Sequence, residues 1–152
     1  MNSEPRTRLA AFRSRSGKSP VEIEDQSGIS DVSYYDLEST DDLYDAISLR
    51  DLSRVCSVVG CAPRDLFMKG AGNAADERGL SFPGLRERLL QYLNSHAIPL
   101  PEFEESVGWG LADFIHDPEV AWGWNVRCLS DVCAPLGVDW VRALPASSAP
   151  SG

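Results

Sequence analysis

Two segments of this chain are copies of one another, and any fold it adopts has to be built twice. Val126, Leu129, Ser130, Val132, Cys133, Leu136 and Gly137 follow Leu49, Leu52, Ser53, Val55, Cys56, Val59 and Gly60 at a constant offset of 77 positions, and Arg127 answers Arg50. Nearer the N-terminus the offset is 80, pairing Leu9 with Leu89, Gly28 with Gly108 and Tyr34 with Phe114. A period of this length is a whole folding unit, repeated with three residues lost from the loop after its third element.

Spacing says the unit is helical. Leu49, Leu52, Val55, Cys56 and Val59 recur at three and four, the period of a buried helix face. Arg6 to Lys18 reads as a first helix, after a frayed start over residues 1–5. Ser19 then caps a second helix, with Pro20 at its first position and Glu22 completing a capping box. Gly28 ends that helix, Ile29 packs the turn, and Ser30 or Asp31 caps a third helix whose buried side is Tyr34 and Leu37. Two short helices about a glycine turn make a helix-turn-helix. Ser39 to Ser48 is an acidic loop, and Pro63 opens a last short helix carrying Leu66 and Phe67.

With Leu9 to Phe12 before it and LRDLSRVCSVVGCAPRDLF after it, the stretch SPVEIEDQSGISDVSYYDLE resembles the five-helix domain of the phage-repressor and Cro-like DNA-binding proteins. The resemblance covers residues 6 to 68 and rests on the apolar frame, Gly28, the Val59-Gly60 helix end and the Asp65-Leu66-Phe67 close. It implies an all-α chain of two tandem lambda-repressor-like domains: residues 1–69, a linker over 70–82, a more divergent copy over 83–145, and a disordered tail over 146–152. Asp117 and Pro118 stand where Leu37 and Glu38 stand in the first copy, so the third helix of the second copy should be shortened or redirected. Pro135, within its fourth helix, should kink or shorten that helix as well.

Apolar content of 43% supports a real core, no apolar run is long enough to cross a bilayer, and the N-terminus lacks a signal-peptide core. A soluble cytoplasmic protein is expected. Cys56 and Cys61, like Cys128 and Cys133, are five apart, too far for the tight pairs of metal motifs, and read as core thiols. No cofactor or metal is expected. His96 and His116 are the two histidines, and no Ser-His-Asp order or phosphate loop accompanies them, so no catalytic residue is assigned.

The resemblance implies that the third helix would lie in the major groove, presenting Ser30, Asp31, Val32, Ser33, Tyr35 and Asp36. Pro20 occupies a position where the family commonly has a glutamine that touches DNA. Between Ser19 and Leu49 there is no lysine or arginine, but there are Glu22, Glu24, Asp25, Asp31, Asp36, Glu38, Asp41, Asp42 and Asp45. Leu89 to Val126 repeats the pattern with Glu102, Glu104, Glu105, Asp113, Asp117 and Glu119. Phosphate binding gains its affinity from cations, so these surfaces and a net charge of −9 disfavour DNA.

The expectation is therefore protein recognition, of the antitoxin, immunity-inhibitor, DNA-mimic or regulator kind, with a partner of basic character and with homodimerisation open. One contact face would be Asp31, Tyr35, Asp36, Glu38, Asp41 and Asp42; another would be Trp109, Leu111 and Trp122, unless these pack against the first half. The competing expectation is a transcriptional regulator reading DNA through Ser30 and Ser33, helped by Arg6, Arg13, Arg15 and Lys18. Those bases read equally as a face that neutralises the acids of the neighbouring helix.

Overall fold

A computed structural model describes residues 5–29, 33–39, 43–67 and 81–144. The chain is all-α over these residues: α1 Pro5–Ser16, α2 Pro20–Ser27, α3 Tyr34–Ser39, α4 Leu49–Val59, α5 Pro63–Phe67, α6 Phe82–His96, α7 Leu100–Val107, α8 Ala112–His116, a 3-10 helix Pro118–Gly123, α9 Val126–Leu136 and α10 Trp140–Ala143. Among the described residues there is no strand, and one isolated antiparallel bridge joins Ser48 to Asn125.

The capping box forms as the sequence reads. Ser19 Oγ accepts from the Glu22 amide at 3.2 Å, and Glu22 Oε1 accepts from the Ser19 amide at 3.0 Å. Gly28 follows at φ 75° and its counterpart Gly108 at φ 81°, a left-handed turn that costs a side-chain-bearing residue about 1 kcal/mol. The third helix starts later than its expected cap at Ser30 or Asp31: Ser33 is not helical, α3 begins at Tyr34, and the Leu37 amide returns to the Ser33 carbonyl at 3.3 Å. Residues 1–4 and the tail over 146–152 lie outside the described residues.

Other boundaries differ from expectation as well, and α1 begins at Pro5, within the start read as frayed. α1 stops at Ser16 instead of Lys18, because Gly17 turns left-handed and returns its amide to the Arg13 carbonyl at 3.2 Å. α6 begins at Phe82, within the stretch read as linker, because Ser81 caps it by accepting from the Gly84 amide at 3.1 Å. α9 is not shortened by Pro135 and runs 11 residues, as α4 does. Pro135 falls in the last turn, and the helix closes two residues later where the Val138 amide reaches the Cys133 carbonyl at 3.2 Å. The third helix of the second half does change course: Asp117, restricted by the proline after it, is extended, and Pro118 starts the 3-10 helix.

Many positions related by the repeat are buried alike, although Ser53 and Val59 are buried where Ser130 and Leu136 are half-buried. Leu9 and Leu89, Tyr34 and Phe114, Leu52 and Leu129, Val55 and Val132, and Cys56 and Cys133 are all core residues. Each aliphatic or aromatic side chain so buried contributes about 1.5–3 kcal/mol. Cys128 and Cys133 are buried thiols, and burial, aided by Asp131 for the first and Asp139 for the second, pushes each up to about 12. Cys56 is also raised, by its hydrogen bond to Cys61 and by burial. The neutral thiols therefore contribute stability that is complete below the unfolded-state value near 8.5 and is lost as pH rises towards 12. Urea midpoints should fall between about pH 9 and 11, and less steeply in a Cys128→Ala/Cys133→Ala variant. Equal slopes for the two proteins would refute this.

The two halves meet around one pair of equivalent positions, Ser48 and Asn125. Ser48 caps α4, accepting from the Asp51 amide at 3.1 Å, and Asn125 caps α9, accepting from the Cys128 amide at 2.8 Å. These two caps form the bridge. The Leu49 amide donates to the Trp124 carbonyl at 2.7 Å, and the Arg127 amide to the Tyr44 carbonyl at 2.9 Å. Beside them Tyr44, Phe67 and Trp140 pack edge to face, with centroids 5.2–5.9 Å apart. Asp45 and Arg127 add an ion pair at 2.5 Å, but both are half exposed, so it contributes little.

Candidate interaction surface

On α2, Ile23 and Ser27 are one turn apart and point inward. Val21 lies 200° from Ile23 around the helix axis and so points outward, and it is 65% exposed. On α3 the same geometry buries Tyr34 and Leu37 and leaves Tyr35 at 65% exposure. Glu22 and Asp25 are exposed on the outer side of α2, and Asp36 is half-buried on α3. The Glu22 carboxyl is held below its usual range, first by the Ser19 amide and then by the Ser19 hydroxyl.

Glu38 is engaged within the fold. Its Oε1 accepts from Arg13 Nη2 at 3.1 Å and its Oε2 from Arg13 Nε, so the fork ties α3 to α1. The Arg13 pKa is raised, chiefly by this bond. The buried Tyr34 hydroxyl lies beside the pair without hydrogen-bond geometry, and burial, then Glu38, pushes its pKa well above the ordinary value.

Three more bases of the N-terminal cluster are held by acceptors of the first half, while Arg15 is exposed. Arg6 Nη1 donates to the Ser39 carbonyl at 3.1 Å, and Arg8 Nη1 to the Leu66 carbonyl at 3.2 Å. Lys18 Nζ reaches Gln26 Oε1 at 2.8 Å and the Val58 carbonyl, near the negative end of α4, at 3.2 Å. Arg15 lies over the Phe12 ring, 4.7 Å from its centroid.

In the second half, two of the three residues read as a contact face are interior. Leu111 is fully buried, and its amide donates to Glu104 Oε2 at 2.6 Å, fixing the turn between α7 and α8. Trp122 is 8% exposed, meets Phe82 edge to face at 5.2 Å, and donates from Nε1 to Glu119 Oε2 at 3.0 Å. Its 3-10 helix packs against both α6 and α4, so this segment does lie against the first half. Trp109 is half-buried, with Nε1 donating to Asp131 Oδ2 at 3.0 Å. His96, the last residue of α6, stacks on Tyr92 with centroids 4.3 Å apart, and His116 ends α8.

Ser33 is half-buried just before α3, while Ser30, Asp31, Asp41 and Asp42 lie outside the described residues. Among the described residues no group of three or more His, Cys, Asp or Glu could hold a metal ion, and no helix is long and apolar enough to cross a membrane. Val21 went unmarked by the sequence reading, although its two-residue separation from Ile23 is a signal that both cannot face inward. Nothing local announces the Arg13–Glu38 or Glu104–Leu111 ties. The chain matches no protein-family model, no curated protein and no solved structure.

Proposed function

We propose that this chain is a pair of tandem repressor-like helix-turn-helix units turned to protein recognition: an antitoxin- or immunity-type inhibitor, a DNA mimic, or a regulator that binds another protein. The carrying observation is the lack of any lysine or arginine from Ser19 to Leu49 and from Leu89 to Val126, the two stretches that hold the second and third helices of each unit. Of the five N-terminal bases, Arg15 is exposed and the other four are already engaged. Arg6, Arg8, Arg13 and Lys18 donate to acceptors of the first half itself. A phosphate placed near either stretch would meet carboxylates in place of released counterions. The partner that suits such a surface is a protein of basic character.

Fluorescence anisotropy across a salt series tests this, with a random duplex pool and the upstream region of the chain's own gene as ligands. The expected result is no binding to either DNA even at low salt. Tight binding of the upstream region over the pool, lost steeply with salt, would establish a DNA-reading repressor and overturn the proposal.

A further inference from the structure

We infer that the outer face of α2 and α3 in the first half, anchored by Val21 and Tyr35, docks a basic amphipathic segment of another protein, and that the second half carries no equivalent anchor. The inference rests on the protein-recognition reading above and narrows it to one surface and one chemistry.

Among the described residues, Val21 and Tyr35 are the two most exposed large apolar side chains, at 65% each, and they sit on the two helices that pack together around Gly28. The next most exposed, Leu90 and Val120, are at 38% and 37% and lie in the second half. Tyrosine with an aliphatic neighbour makes a compact anchor, because it buries a large area and loses few rotamers. Around α2, Asp25 lies 40° and Glu22 100° from Val21, and all three are exposed, so the apolar side chain stands beside acids.

Charge decides the occupant. A second copy of this chain would bring the same acids onto themselves, and the whole chain carries −9, so self-association through this face is opposed. A segment with apolar residues for Val21 and Tyr35 and with lysine or arginine at its edges satisfies both parts of the patch. The equivalent positions 80 residues on are Pro101, which is too rigid and small to anchor, and Ile115, which is half-buried. The larger apolar groups nearby are engaged already: Leu111 and Trp122 in the interior, Trp109 by Asp131.

The probe is a fluorescein-labelled helical peptide of about 18 residues with leucine on one face and lysine on the other, compared with a lysine peptide of equal charge that has alanine in place of leucine. The full chain should bind the leucine peptide about tenfold more tightly than the alanine one, and a Val21→Ser/Tyr35→Ser variant should reduce that preference to about twofold or less. Both side chains are exposed, so the thermal melt should be unchanged. Amide shifts in a ¹⁵N spectrum should concentrate on α2 and α3. Equal binding of the two peptides, failure to bind the leucine peptide, an unaffected preference in the variant, or shifts centred on α7 and α8 would each overturn the anchor. Such results without DNA binding would leave the wider protein-recognition reading standing, whereas salt-steep DNA binding would remove both.

Discussion

Phe114→Ala is expected to remove about 4 kcal/mol of stability and to lower the unfolding midpoint of the whole chain together. Phe114 is 1% exposed on a helix of five residues, too short to hold itself in place by backbone bonds alone. Its ring packs on Trp124, with centroids 4.7 Å apart at 43°. The Trp124 carbonyl in turn accepts the Leu49 amide of the other half at 2.7 Å. Deleting the ring therefore opens a cavity in the second half and loosens a seam bond to the first. All four tryptophans lie in the second half, so their fluorescence reports that half, while far-ultraviolet circular dichroism reports both. Coincident urea transitions by the two probes, both shifted in the variant, are the expected outcome. A fluorescence transition that moves away from an unchanged dichroism transition would mean that the seam does not couple the halves.

Glu38→Ala should cost about 2 kcal/mol, below the 3–5 kcal/mol of a fully buried pair, because the side chains remain 27% and 14% exposed on Arg13 and Glu38. The loss arises mainly from the guanidinium left between α1 and α3 with its two-point acceptor gone. An Arg13→Met/Glu38→Leu variant should recover most of the stability, since apolar groups of similar volume need no partner. A Glu38→Ala variant as stable as the parent would show that the pair does not hold α3 in place.

The helices and their order were legible in the sequence because caps and apolar spacing are local signals. Ser19, Glu22, Gly28 and the Leu49–Val59 face each act within a turn or two of themselves. For Leu111 and Trp122 the sequence left a contact face and an interior position both open, for the opposite reason. Trp122 is carried inward by the 3-10 helix that replaces a third-helix end, and the packing of that helix against α6 and α4 is long-range. Glu38 looked like a member of an acid run, and only its neighbour across 25 residues of chain shows that it belongs to Arg13. The acidic, base-free character of the two stretches was legible from composition alone. Which acids remain outward was not, since Glu104, Glu119 and Asp131 each hold a donor of the fold.

The bridge between Ser48 and Asn125 also bears on how this chain can change. In an assembly of two identical subunits every substitution occurs twice, so a surface cannot be altered on one side of the axis and kept on the other. Here the same contact is made once, by two different residues of one polypeptide. A mutation near Tyr35 leaves Ile115 untouched, and three residues can be dropped after one third helix while the other loop keeps its length. Tethering supplies the partner half at a fixed local concentration, so the pairing survives even as the outer faces diverge. Only the Ser48–Asn125 pair keeps like against like, and each flank is free to specialise.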